Sequence, residues 1–186
     1  MNVFYIDKDP EVAARDMINK HVVKMIVECA QMLSTAHRML DGEEYRAPSK
    51  SGKRIVKKWQ LQENDDIVYS AVHMGHPCTV WTMESSDNYQ WHYEHFIALC
   101  MEYQYRYGKV HATHQKLGKI LSVTPRNIPN IGLTPFKLAM QAEPQCMLED
   151  AVKSYQAYYM TKQERFKMVW SKRSIPDWFH VSANAA

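Results

Sequence analysis

The sequence has no CxxC pair, no glycine-rich phosphate loop and no apolar run long enough to cross a membrane. Each absence excludes something. Cys29, Cys78, Cys100 and Cys146 stand far apart, and two of them fall within helical core stripes, so they read as reduced, buried thiols and not as a disulfide framework. No Walker A motif, GxGxxG or GxSxG is present, which removes the common nucleotide-binding and serine-hydrolase signatures. No window approaches the roughly 18 apolar residues of a membrane span. "MNVFYIDKDPEV" carries charges where a signal peptide needs an apolar run. The expectation is a soluble, cytoplasmic protein without membrane partners.

What is present suits one domain. At 186 residues with 46% apolar content, the chain can bury a substantial core. A net charge of +3 is too small to imply nucleic acid by itself, so distribution matters more than sum. No run alternates strictly beyond a few residues, and the reading is all-α: a compact helical bundle over residues 1–180, with 181–186 as a disordered tail. A helix is expected from about Pro10 to Leu40, stopped near Gly42. Residues 42–60 lose helical periodicity and read as a loop or hairpin. Further helices are expected from Asn64 or Asp65 to Met74, from Pro77 to about Glu84, and from an Asp87–Gln90 capping box to a stop at Gly108. Others are read over about His111–Leu121, in the Thr-capped "TPFKLAMQA", and over about Leu148–Trp170.

The long N-terminal helix is unusual. Ile18, Val22, Met25, Cys29, Met32, Leu33 and Ala36 make one apolar stripe, and Val23, Val27 and Ala30 make a second. Between them run His21, Lys24, Glu28, Gln31, Thr35 and Arg38 in single file. A file of this kind is ordinarily a solvated face; with apolar surface on both sides it also suits the wall of a cleft. In a cleft, Lys24 and Glu28 would have to pair with each other or meet a ligand. Glu28 is a candidate general base, and His21 lies seven residues earlier on the same face.

Basic residues cluster twice. "YRAPSKSGKRIVKKW" holds Arg46, Lys50, Lys53, Arg54, Lys57 and Lys58, six cations in thirteen residues with no acid among them. "KQERFKMVWSKR" mixes Lys162, Arg165, Lys167, Lys172 and Arg173 with Phe166 and Trp170. A soluble loop explains the first cluster alone; two basic segments interleaved with aromatics favour phosphate contact. Arg106 and Lys109, beside Gly108, suit either a helix dipole or a phosphate. His92 with His95, and His111 with His114, have i, i+3 spacing but no recognised set of metal ligands, so no metal and no cofactor is expected.

"KHVVKMIVECAQMLSTAHR", "HPCTVWTMESSDNYQW" and "EYQYRYGKVH" resemble a small protein family of tailed bacteriophages. The order of features also resembles the phage pyrimidine-dimer DNA glycosylases of the endonuclease V type, over roughly residues 13–170. In that family a His and a Glu seven residues later lie on the first long helix, matching His21 and Glu28. A basic "GKR" loop follows, matching residues 51–54, then a segment opening on a histidine (His76 onward) and a basic aromatic C-terminal stretch. Two positions depart from it. The family has arginines beside and three residues after its Glu, where this chain has Val27 and Gln31; Lys24 and Arg38 are the nearest substitutes. The family's nucleophile is an α-amine exposed by methionine removal, whereas Asn2 here leaves Met1 in place.

The resemblance implies a DNA base-excision glycosylase with abasic-site lyase activity in an infected bacterial cell. The Met1 amine or a lysine would supply the attacking amine, unless the chemistry is absent; Glu28 would stabilise charge and move protons, and His21 would orient the DNA or Glu28. Lys20, Lys24, Arg38, the cations from Arg46 to Lys58, Arg106 and Lys109 would hold DNA. The alternatives are a non-enzymatic phage protein binding a nucleotide, signalling molecule or host protein in a helical cleft, and an enzyme acting on free nucleotides.

Overall fold

A computed structural model describes residues 1–49 and 51–180; Lys50 and the segment 181–186 lie outside the described residues. The chain is 47% helical and predominantly but not purely α, because residues 43–60 pair as a two-stranded antiparallel sheet. The buried apolar residues form one contiguous core.

The chain enters through that core. Asn2, Val3, Phe4, Tyr5 and Ile6 are all buried. The Asn2 side-chain carbonyl accepts from the Val3 and Phe4 amides at 2.8 and 3.0 Å, and its NH2 donates to the Ala139 carbonyl at 3.0 Å. Phe4 sits at φ 59°, a left-handed conformation uncommon for a bulky residue. Burial of its ring against His21 and Tyr158 offsets that cost.

Helix α1 (Pro10–Arg15) is capped by Asp9, whose carboxylate accepts from the Glu11 and Val12 amides. It stops at Arg15, so the single helix expected over 10–40 is two, and α2 covers Asn19–Asp41. The interruption is held from the far half of the chain. Arg106 donates to the Arg15 and Met17 carbonyls at 2.8 and 2.9 Å, and the Trp170 indole donates to the Asp16 carbonyl at 2.7 Å. The Ile18 amide donates to the Tyr159 hydroxyl, and the Asn19 amide to the Val169 carbonyl. Backbone groups that a continuous helix would have paired internally are satisfied by tertiary partners instead.

The main apolar stripe of α2, Ile18 to Ala36, is fully buried against α3 (Pro77–Glu84) and α4 (Ser86–Tyr107). After Gly42, β1 (Glu43–Pro48) and β2 (Ile55–Gln60) form the hairpin, with Arg46 opposite Lys57 and Tyr45 opposite Lys58. The helix expected over 64–74 does not form. Arg38 directs its N–H groups to the Trp59, Asp65, Val68 and Tyr69 carbonyls and the Asp65 carboxylate, all at 2.6–2.7 Å. Carbonyls drawn onto one guanidinium are not free to accept from residues four further on.

α3 begins where Pro77 predicts, with His76 as its cap, and α4 closes at Gly108 with φ 66°. Ser85, two residues before Asp87, caps α4. α5 (Ala112–Leu117) ends short of Leu121, and a 3-10 turn follows at Ile120–Ser122. "TPFKLAMQA" forms no helix; it is irregular and closes in a turn. The Thr134 amide donates to Asn88, the Tyr155 hydroxyl bridges Lys137 and Ala139, and Phe136 stacks on Tyr5 at 4.3 Å. α6 covers only Ala151–Met160, and the rest of the expected C-terminal helix is a 3-10 turn and an irregular strap. The four cysteines are buried and free. No described helix is long and apolar enough to cross a membrane.

The sequence suggests a phosphate-facing Arg106; its guanidinium instead lies inside the fold. It donates at 2.6 Å to Glu102, which also pairs with Arg173 at 2.8 Å. Arg106→Leu should therefore destabilise the fold by about 3–5 kcal/mol in urea denaturation, with DNA affinity per folded molecule unchanged. Normal stability with weakened DNA binding would return Arg106 to the surface chemistry expected from sequence.

Candidate active site

The polar file on α2 does not act as one surface. His21 is only 4% exposed, stacked on Phe4 at 5.0 Å with its Nδ1 2.7 Å from the Tyr159 hydroxyl. Burial pushes its imidazole down to about 4, helped by the positive charges of Lys24, Lys162 and Lys20. It is a neutral core group and is not placed to touch DNA. At the other end of the file, the Thr35 hydroxyl bonds the Val72 backbone, and Arg38 is enclosed by residues 59–69, so neither faces a cleft. Lys24, Glu28 and Gln31 remain at least partly accessible between them.

Glu28 is the centre of that remainder. Its side chain is 13% exposed, and Lys24, 62% exposed, closes on Oε1 at 3.0 Å in an i, i+4 pair. Oε2 accepts from the Asn2 amide at 3.1 Å and lies 3.8 Å from the Met1 α-amine. The chain end reaches Glu28 because Asn2 is fixed on both sides. Its carbonyl turns residues 2–4, and its NH2 ties them to Ala139.

His76 completes the cluster. As the cap of α3 its Nδ1 accepts from the Cys78 amide at 3.2 Å. Its imidazole is shifted toward the neutral form by partial burial first, then by the α-ammonium of Met1 and by His73. A hydrogen bond with the Met1 backbone and the charge of Glu28 oppose that shift. One carboxylate, two amines and one imidazole thus stand around the start of the chain. An amine held against a carboxylate is a competent arrangement for adding to a carbonyl and moving the protons that follow.

The cations expected to hold DNA divide. Arg46, Lys53, Arg54 and Lys57 on the hairpin are exposed, Lys58 is half-buried, and Lys109 and Lys20 are exposed. Arg38 and Arg106 are buried and direct their guanidinium N–H groups to partners inside the fold. Two cavities of about 600 Å³ lie elsewhere. One is between α1 and α4, lined by Val12, Ile97, Met101 and Tyr105; the other is beside the end of α2, lined by His37, Asp41, Lys119 and Arg126. Neither includes Met1, Glu28 or Gln31, so the concave pocket expected along the polar file is not one of these two. Among the described residues no His, Cys, Asp and Glu cluster is arranged to hold a metal.

Sequence reasoning missed Asn2 and His76. The "HP" at 76–77 signalled a helix start, but nothing in the sequence signalled that this start meets the chain terminus. No family model matches the chain, and comparison with curated proteins and with solved structures finds no match in either.

Burial of histidines gives the fold an acid limit. His92 is held down to about 3 and His95 to about 4, in both cases chiefly by burial, and His21 to about 4. An unfolded histidine titrates near ~6.5. Below that pH the unfolded chain takes up protons that the folded chain refuses, so stability falls with falling pH until the folded values are reached. The expected slope is about 1.4 kcal/mol per pH unit for each such histidine. Urea denaturation at pH 7, 6 and 5 checks this, and a flat profile would mean that the three rings are not buried in neutral form.

Proposed function

We propose that this chain is a DNA base-excision glycosylase with abasic-site lyase activity, using the α-amine of Met1 as nucleophile. The observation that carries this reading is the α-amine 3.8 Å from a largely buried Glu28, at the end of a chain segment fixed by Asn2. In the proposed reaction the neutral amine attacks the sugar C1′ of an unstacked nucleotide, and the base leaves with the glycosidic electron pair and a proton. Ring opening gives an imine between the amine nitrogen and C1′. Glu28 stabilises the positive sugar in the first step. It then takes the C2′ proton, so that the 3′ phosphate leaves by elimination, and water releases the chain terminus. The terminus is carried by a backbone segment fixed through Asn2, whereas Lys24 is an exposed, flexible side chain, which favours the terminus over Lys24.

DNA is the partner that suits the hairpin. Arg46 and Lys57 stand directly opposite each other on its two strands, an arrangement that costs stability in the free protein. Among the described residues Lys57 alone of the two has a local relief, Glu44 at 3.0 Å. A phosphate backbone would relieve both, with Lys53, Arg54, Lys58, Lys109, Lys20 and Lys24 adding further neutralisation.

A non-enzymatic reading has one observation on its side. Glu28 already receives Lys24, the α-amine and the Asn2 amide, which is what an anchor for a chain end requires. One experiment separates the two. The protein is incubated with UV-irradiated and with abasic duplex DNA, borohydride is added, and any adduct is mapped by mass spectrometry. An adduct on Met1 is expected; no adduct and no strand cleavage leaves Glu28 as an anchor. In the same assay Glu28→Gln should lower turnover by about 100-fold or more with DNA affinity retained. Full activity in that variant would remove Glu28 from the chemistry.

The hairpin contributes a separate expectation. Alanine at Lys53, Arg54, Lys57 and Lys58 should flatten the dependence of log affinity on log salt by about 0.9 for each phosphate no longer neutralised, without lowering the melting temperature. If affinity and slope both survive, the hairpin serves solubility alone.

A further inference from the structure

The outer face of α4 carries apolar surface that the core does not use. Gln90, Glu94, Met101, Gln104 and Tyr105 are exposed, and Ile97 and Ala98 are half-buried among them. Steps of three and four residues put all seven on one side of the helix. A solvated stripe is ordinarily polar along its length. This one is polar at its start and apolar through its middle turns, where Met101 is 50% and Tyr105 49% exposed.

α1 lies beside this stripe and runs parallel to α4. At one end the Trp91 indole donates to the Lys8 carbonyl at 2.7 Å, and the His95 ring lies 2.9 Å from the Pro10 carbonyl. At the other, Arg106 donates to the Arg15 and Met17 carbonyls. The cavity of about 600 Å³ between the two helices is therefore a groove, running from Tyr93 to Tyr105. At 1.5 Å of rise per residue that is about 18 Å. Its floor is Val12, Ile97, Ala98 and Met101, and its two ends differ in charge. Asp9, Glu11 and Glu94 line the first end, and none of them is in an ion pair among the described residues. Arg15 and Arg173 line the second. Arg173 pairs with Glu102, which Arg106 already holds. Arg15 is half exposed, and its one ion pair among the described residues is a 3.6 Å contact with the adjacent Asp16.

A face that is acidic at one end, apolar in the middle and cationic at the other is complementary to itself after a half-turn. We propose that this groove is a self-association site, in which a second copy of the chain packs antiparallel about a two-fold axis near Ala98. The α4 of each copy then seats in the groove of the other. Ile97, Ala98 and Met101 of both copies meet at the centre, and Ala98, the smallest side chain on the stripe, lets the helices approach closely there. Glu94 lies one turn before Ala98, and Arg15 lies beside Arg106, about two turns after it. The half-turn therefore brings Arg15 of each copy to Glu94 of the other. A partner of one charge sign would be attracted at one end of the groove and repelled at the other, which favours a second copy over a basic or an acidic peptide. Nothing in this packing depends on the lyase chemistry.

The test uses the intact chain, treated with nuclease so that DNA cannot bridge two copies. Sedimentation velocity from about 1 to 100 µM should show a monomer–dimer equilibrium. Met101→Glu should weaken association by about 100-fold or more, because it sets two carboxylates in the apolar centre. Arg15→Glu and Glu94→Arg should each weaken it by about tenfold or more, since the axis repeats the pair. An equimolar mixture of these two variants should regain the wild-type affinity, with one pair reversed in sign and the other as in the native chain. All three positions are exposed, and the melting temperature of each variant checks its fold; where Met101→Glu lowers it, Met101→Gln takes its place. A monomer at every concentration overturns the dimer. A dimer indifferent to the Met101 variant, or a mixture no tighter than either charge variant alone, places any association on another face and equally overturns it.

Discussion

A chain end carried through a packed interior has to finish against negative charge, because an unpaired ammonium among apolar side chains costs several kcal/mol. Here residues 2–6 are buried and the α-amine arrives at Glu28. Much of the architecture follows from holding that segment. Tyr5 is enclosed by Trp81, Phe136 and Tyr155, and Tyr155 in turn bonds the segment 134–140 at Lys137 and Ala139. Asn2 reaches the same segment at the Ala139 carbonyl. The first residues, α2, the start of α3, the irregular segment 134–140 and α6 are thereby tied together.

Arginine and lysine carry different loads in this fold. Arg38 and Arg106 are buried, and each uses a rigid, multi-donor fork to collect backbone carbonyls from segments that have no regular structure. Neither could be replaced by lysine, whose three donors radiate from one atom. The lysines stay mostly at the surface, and Lys162 is the exception among the described residues in being enclosed without an acid. The cations that look alike in a sequence therefore separate by chemistry into scaffold and contact groups.

This separation also explains which parts of the structure could be read in the sequence. The apolar stripe of α2, the start of α3 at Pro77 and the stop of α4 at Gly108 are local signals, and each is met. The break at 16–18, the unformed helix over 64–74 and the irregular "TPFKLAMQA" are not local. In each, a distant donor or acceptor (Arg106, Arg38, Tyr155) takes the backbone groups that helix formation needs, and no propensity within the segment can reveal that. The same limit applies to the site. A helical wheel places His21, Glu28 and Arg38 in one file, but exposure depends on what covers each position. Phe4 and Tyr159 cover His21, residues 59–69 cover Arg38, and only Glu28 meets the terminus. The helical file singles out Glu28 as a candidate base; the contacts of Asn2 and His76 at the chain end and the burial of Lys162 leave no local signal.

The contact that anchors the terminus also constrains the proposed chemistry. An ammonium paired with Glu28 stabilises the fold but cannot attack carbon, since its lone pair is occupied by a proton. To react, the amine has to become neutral, and the carboxylate then has one positive neighbour fewer. A carboxylate left alone in a largely buried position would resist that change. Glu28 is not left alone: Lys24 stays at 3.0 Å from Oε1, and the Asn2 amide at 3.1 Å from Oε2. These two partners remain on the carboxylate when the α-amine is engaged elsewhere. Lys24 therefore has a place in the site even if it never touches substrate. An i, i+4 pair in the weaker Lys-then-Glu order adds little as a surface ion pair, and its value lies in the charge it leaves on Glu28 when the terminus departs.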